Sequence, residues 1–138
     1  RRGRSAAASI VPTTTGAAIA TTKVLPQLEG KMDGLAMRVP VVDGSIIDFV
    51  AQTEKPVTVE KVNRAFQKAS KDKNMEGVLG ITEEELVSAD IIDSTYSALV
   101  DAQSTMTLGD HTVKVLAWYD NEWGYAKRVA DLAEYMSR

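Results

Sequence analysis

The run 34–54, GLAMRVPVVDGSIIDFVAQTE, constrains this chain more than any other stretch. Two β-rich arms, 35–42 and 45–53, flank Asp43-Gly44, a dipeptide that tolerates positive φ and predicts a hairpin. Leu35, Met37, Val39 and Val41 alternate with Ala36, Arg38 and Pro40, whereas Ile46 and Ile47 are adjacent. Arms this apolar predict strands with both faces largely covered. Arg38 is the exception, because a desolvated guanidinium needs an anionic partner. That partner is either a carboxylate elsewhere in the fold or a bound anion held by the planar fork.

With 138 residues the chain is long enough for one domain and short for two, so residues 1–138 are expected to form a single domain. A net charge of −3 gives no general electrostatic reason to expect nucleic acid or an anionic membrane as partner. No apolar run approaches a membrane span. The cysteine count of 0 removes disulfides, thiolate metal sites and a thiol nucleophile from these residues. The opening Arg1-Arg2-Gly3-Arg4 has no methionine and reads either as a basic arm or as the interior of a longer polypeptide. The second is the expectation adopted here, and it rests on the motifs below.

Ile10-Val11-Pro12 reads as a short extended piece, followed by Thr13-Thr14-Thr15-Gly16 and an alanine-rich helix over 17–25 that Pro26 ends. A threonine is a good cap for that helix. Its N-terminal amides also suit an oxyanion, so capping and anion binding both remain open for Thr15 and Gly16. Thr58 is expected to cap a second helix over 59–71, with Val62, Ala65, Phe66 and Ala69 on one stripe and Glu60 and Arg64 paired at i, i+4. A strand is expected over 76–81, a turn over 82–86, strands over 96–101 and 105–107, and a strong strand over 112–119. The three consecutive glutamates 83–85 point in different directions and read as a solvated turn, and no metal site is expected. His111, the sole histidine, sits at a turn with no nucleophile pattern around it and reads as a surface residue. A last helix runs to about Met136, with Tyr125, Val129, Leu132 and Met136 on one apolar stripe. The order of elements predicts an α+β fold with a mainly antiparallel or mixed sheet and helices on one face.

Trp118-Tyr119-Asp120-Asn121-Glu122-Trp123-Gly124-Tyr125, Pro12-Thr13-Thr14-Thr15-Gly16-Ala17-Ala18 and Met37-Arg38-Val39-Pro40 together resemble phosphorylating glyceraldehyde-3-phosphate dehydrogenase. The similarity runs in order over essentially the whole chain. It implies the C-terminal catalytic-domain segment of a cytoplasmic, glycolytic oxidoreductase that is usually a homotetramer. In that family the NAD- or NADP-binding domain and the catalytic cysteine and histidine lie upstream of the position of Arg1, so the resemblance places no catalytic residue here. A cysteine thiolate attacks the aldehyde, hydride passes to the nicotinamide, and inorganic phosphate releases the acyl product.

By the same resemblance, Thr15, Gly16 and Arg2 hold the attacking phosphate, and Arg38 holds the phosphate of glyceraldehyde 3-phosphate. Asn121 hydrogen-bonds the nicotinamide carboxamide, and Tyr125 packs beside the ring. For Asn121 an N-cap role, and for Tyr125 a core role, stand as the plainer alternatives. The final helix is expected to dock on the upstream cofactor domain, leaving its apolar stripe bare in this chain. Val41-Val42-Asp43-Gly44 departs from the family's threonine and asparagine-containing turn after Arg-Val-Pro. Erythrose-4-phosphate dehydrogenases share the Asp-Asn-Glu-Trp-Gly pattern, and a non-catalytic self-association module is the reading from a different class.

Overall fold

The computed structural model describes residue 1 and residues 3–138. They form two compact units, 1–42 and 43–138. The fold class is α+β, as the order of elements predicts.

In the first unit, strand β1 (Val11–Thr14) pairs antiparallel with β2 (Leu35–Arg38), in the register Val11↔Arg38 to Thr14↔Leu35. Helix α1 (Ala17–Val24) lies between them in sequence. Its alanines favour helix, and Pro26, which cannot continue it, opens a 3-10 turn over Pro26–Leu28.

The second unit holds a four-stranded sheet in the order β3-β6-β5-β4, with β3 (Ser45–Gln52), β4 (Leu79–Thr82), β5 (Ala98–Leu108) and β6 (Thr112–Tyr119). The β3–β6 and β6–β5 pairs are antiparallel and β4–β5 is parallel. Helix α2 (Val59–Ala69) presents Val62 and Phe66 to Val100, Val113 and Val115, the centre of the core. Thr58 caps α2 as expected, its Oγ1 accepting from the Lys61 N–H at 3.3 Å. The 96–101 and 105–107 stretches are one strand with a bulge. Residues 102–105 of β5 face Val115 alone on β6. Asn63 of α2 braces the bulge, donating to the Ala102 carbonyl at 2.9 Å and accepting from the Thr105 hydroxyl at 2.7 Å. The expected strand over 76–81 begins later, at Leu79, because Gly77 sits at φ 71° in a turn closed by the Val78 N–H on the Met75 carbonyl.

The predicted hairpin is absent, since β2 pairs with β1 and β3 with β6. Pro40 has no N–H to extend the β2 ladder, and the Val41 N–H turns back onto the Val39 carbonyl at 2.8 Å. Gly44 does take positive φ, 86°, but for a different reason: a Cβ there would overlap the Ser88 carbonyl in a 3-10 turn, Ser88–Ile91. Ile91 of that turn is only 1% exposed. The two arms are not covered on both faces either. Leu35, Met37, Ile46, Ile47, Phe49 and Val50 are all exposed, and β3 is an edge strand.

Helix α3 (Asn121–Met136) ends the chain. Its stripe of Tyr125, Val129, Leu132 and Met136 is exposed, the bare stripe expected from the sequence. No helix among the described residues is long and apolar enough to cross a membrane.

Candidate phosphate- and nicotinamide-contacting site

Thr15, Gly16, Arg38 and Asn121 lie at the ends of elements, and Tyr125 lies one turn into α3. Thr15 and Gly16 join β1 to α1. The cap itself is Gly16 and not a threonine, and Thr15 acts one residue earlier, its Oγ1 accepting from the Ala17 N–H at 3.2 Å. That two-residue reach is the natural span of a short hydroxyl side chain. It leaves the Thr15 hydroxyl proton free to donate. The first helical N–H bond with a chain acceptor in α1 runs from Ala20 to Gly16 at 2.9 Å, so the Ala18 and Ile19 amides have no acceptor within the helix. A side-chain hydroxyl and two helix-end amides form a donor set suited to an oxyanion.

Arg38 is the last residue of β2 and faces Val11 across the ladder. Sequence reasoning puts it in a covered strand, but it is exposed, so desolvation does not force a partner on it. Neither an ion pair nor a hydrogen bond engages its guanidinium among the described residues, which leaves the fork free. Thr14, next to Thr15, pairs with Leu35, three register steps from Arg38. The two donor groups therefore sit at opposite ends of one ribbon, separated by about 10 Å at ~3.3 Å per residue. Arg2 lies outside the described residues.

At the other end of the chain, Asp120 takes the cap role that sequence reasoning allows to Asn121. Asp120 Oδ1 accepts from the Trp123 N–H at 2.8 Å and Oδ2 from the Asp93 N–H at 2.9 Å. It is 3% exposed, and Asp93 adopts φ 66° to reach it. Asn121 is thereby the first helical residue, exposed, with its Nδ2 on Glu122 Oε1 at 3.2 Å and its Oδ1 turned to no chain donor among the described residues. Tyr125, one turn on, is 73% exposed and so is not core. An exposed carboxamide with an uncommitted acceptor beside a bare aromatic ring fits a nicotinamide amide and its ring.

The carboxylates of Asp43, Asp120 and Glu122 lie within 4.8 Å of one another. Both Asp120 oxygens are already used by backbone amides, which gives that residue a structural task. His111 is exposed at the start of β6, its Nδ1 on the Thr53 carbonyl at 2.8 Å, in keeping with a surface role. An open groove of about 560 Å³ between the Gly77 turn and α3 contains none of the expected site residues. What sequence reasoning misses is Asp120 and its Asp93 partner, although Asp-x-x-Trp ahead of a helical stripe carries the ordinary cap spacing.

The family model described as glyceraldehyde 3-phosphate dehydrogenase, C-terminal domain, matches residues 1–121. Among curated relatives, a glyceraldehyde-3-phosphate dehydrogenase of Geobacillus stearothermophilus is 54% identical over 137 residues, covering 99% of this chain and 41% of the relative. Proteins of the same name from Haloarcula vallismortis and Streptomyces coelicolor are 52% and 51% identical, each over 99% of this chain and 40% of the relative. The chain thus spans about two-fifths of the length of the relatives it matches. Helix ends, ribbon and match together lead to one conclusion: the chain belongs to the glyceraldehyde 3-phosphate dehydrogenase C-terminal domain family.

Proposed function

We propose that residues 1–138 act as one C-terminal catalytic domain in a phosphorylating glyceraldehyde-3-phosphate dehydrogenase. The whole enzyme oxidises glyceraldehyde 3-phosphate to 1,3-bisphosphoglycerate with NAD or NADP and inorganic phosphate, in cytoplasmic glycolysis or gluconeogenesis. In this reading the cysteine nucleophile, its histidine and the cofactor-binding domain lie outside these residues, in keeping with the cysteine count of 0.

The observation that carries the reading is Arg38, an exposed guanidinium with no partner among the described residues, held at a fixed register position in a chain of this family. It takes the substrate's phosphate. Thr15, the α1 amides beside Gly16, and Arg2 take the attacking phosphate, and the ribbon keeps the two anions apart. When bound, the nicotinamide accepts the hydride. Asn121 orients its carboxamide and Tyr125 covers the ring, which excludes water from one face. Helix α3 docks its bare stripe on the upstream cofactor domain. The exposed Ile46, Phe49 and Val50 of β3 favour self-association as well, a homotetramer in the whole enzyme or, in the competing reading, a non-catalytic module.

The test is Arg38→Leu in the intact enzyme. Losing a charged hydrogen bond to phosphate lowers kcat/KM for glyceraldehyde 3-phosphate by about 10- to 100-fold. The unphosphorylated aldehyde has no anion for Arg38 and is barely affected. Equal losses on both aldehydes overturn the assignment. Running erythrose 4-phosphate in the same assay decides between the two sugar phosphates.

A further inference from the structure

Helix α3 is held to the body of its unit in an unusual way. Its apolar residues face outward, while its inner stripe is Asp120, Gly124 and Arg128, at i, i+4 and i+8. Asp120 accepts the Asp93 N–H at 2.9 Å. Gly124 is buried, and a Cβ there would stand 3.2 Å from the Tyr96 carbonyl oxygen, tighter than ordinary packing. Arg128 Nη1 donates to the Gly77 carbonyl at 3.2 Å and to Ser97 Oγ at 3.4 Å, and its Nη2 meets Asp131 Oδ2 at 2.8 Å. Asp131 thus steadies the fork from within the helix.

A cap fixes where a helix begins, and a close glycine contact fixes how near it lies. Against roll about its own axis the helix start has a single off-axis tie, the Asp93 N–H on Asp120, and Arg128 supplies the second. Arg128 is seven residues from Asn121, about 10 Å along the axis at 1.5 Å per residue. Its fork reaches off the axis to the fixed Gly77 and Ser97 acceptors, and a tie at that radius resists roll, while its distance from the cap resists tilt. Asn121 projects from the helix surface, about 5 Å from the axis, so a roll of roughly 10° moves its carboxamide by about 1 Å. A displacement of that size is costly where a group must meet a reacting ring, and it can reach about 100-fold in rate.

We propose that Arg128 is a positioning residue for the nicotinamide-facing end of α3: its ties to the Gly77 carbonyl and the Ser97 hydroxyl set the roll of the helix and thereby the aim of Asn121. This rests on the reading that Asn121 contacts the nicotinamide carboxamide. Arg128 itself touches neither substrate nor cofactor in this account.

The experiment uses the intact enzyme and two nucleotides, the natural one (NAD or NADP, whichever it reduces) and its 3-acetylpyridine analogue, which carries a methyl in place of the amide NH2. The readout is the ratio of kcat/KM for the two. Asn121→Ala is the reference and collapses the preference for the natural nucleotide. Arg128→Met, which keeps the stem and removes the fork, lowers that preference by about fivefold or more, chiefly through the nucleotide KM, and leaves the KM for inorganic phosphate within about twofold. Arg128→Lys retains a donor that can satisfy one of the two acceptors, and it falls between Met and wild type.

Should Asn121→Ala collapse the preference while Arg128→Met leaves it intact, the positioning role is wrong and the Asn121 reading stands. An unchanged preference in Asn121→Ala removes the Asn121 reading and this inference with it. An equal fall in kcat with both nucleotides marks Arg128 as merely structural and also overturns the proposal. If Arg128→Met fails to fold, Arg128→Lys decides by the same ratio: a lowered preference supports the role and an unchanged one overturns it.

Discussion

Gly44 and Asp120 show how single residues set the geometry around the site. Gly44 combines φ 86° with the Ser88 carbonyl where a side chain would begin, so Gly44→Ala both strains the backbone and forces the 3-10 turn away. The expected cost is at least about 2 kcal/mol, measured as a lower denaturation midpoint with an unchanged m-value. A loss below about 0.5 kcal/mol would mean the contact relaxes freely. Asp120 has the opposite character. It is a buried carboxylate made tolerable by two backbone N–H donors, one from its own helix and one from Asp93. By filling the cap it leaves the Asn121 side chain out of that role.

Among the elements, α2 is the one whose sequence signals and structure agree most closely. Thr58 starts it, and Val62 and Phe66 seat it on the sheet. Hydrogen bonds from the Thr58 hydroxyl and from its own backbone N–H hold the Glu60 carboxyl below its ordinary pKa, with the nearby Arg64 charge adding to the effect. A depressed carboxylate stabilises the fold above its unfolded pKa, and that contribution is lost as pH falls through the folded value. Thr58→Ala is expected to cost about 1 kcal/mol through the cap. It also moves Glu60 back toward its ordinary value, which an NMR titration of the side-chain carboxyl reads directly. An unmoved Glu60 would show that Thr58 does not reach it.

α2 is legible because its cap, its periodicity and its charge pair all act within one turn. The 35–53 arms are not, because Asp43-Gly44 reports only that the backbone turns, and strand partners are chosen by residues far away in sequence. Val11 claims Arg38, and Tyr119 claims Ser45. Apolar alternation likewise records that a surface is to be covered, without saying that the cover lies within the chain. Thr15, Gly16, Arg38, Asn121 and Tyr125 are proposed from sequence through motifs, whereas the seating of α3 by Arg128 depends on Gly77 and Ser97, which no local pattern links to it.

Over the whole molecule, both β3 and α3 show apolar side chains to solvent, and the chain accounts for about two-fifths of its relatives' length. The isolated 138-residue chain is therefore expected to bind a hydrophobic dye strongly, to sediment in a concentration-dependent way, and to form no NADH from NAD, glyceraldehyde 3-phosphate and phosphate. A dye-silent monomer would contradict the exposed stripes, and turnover above background would contradict a nucleophile supplied from elsewhere.

The bulge in β5 has a consequence for sequence change. Residues 102–104 fall between the two strands expected from sequence, the sort of place where an insertion or deletion passes unnoticed. Asn63 grips both the Ala102 carbonyl and the Thr105 hydroxyl, so the number of residues between them is fixed by the width of one side-chain amide. Adding or dropping a single residue there would break one of those bonds or slip the strand beyond it, which makes this apparent loop one of the least adjustable lengths in the chain.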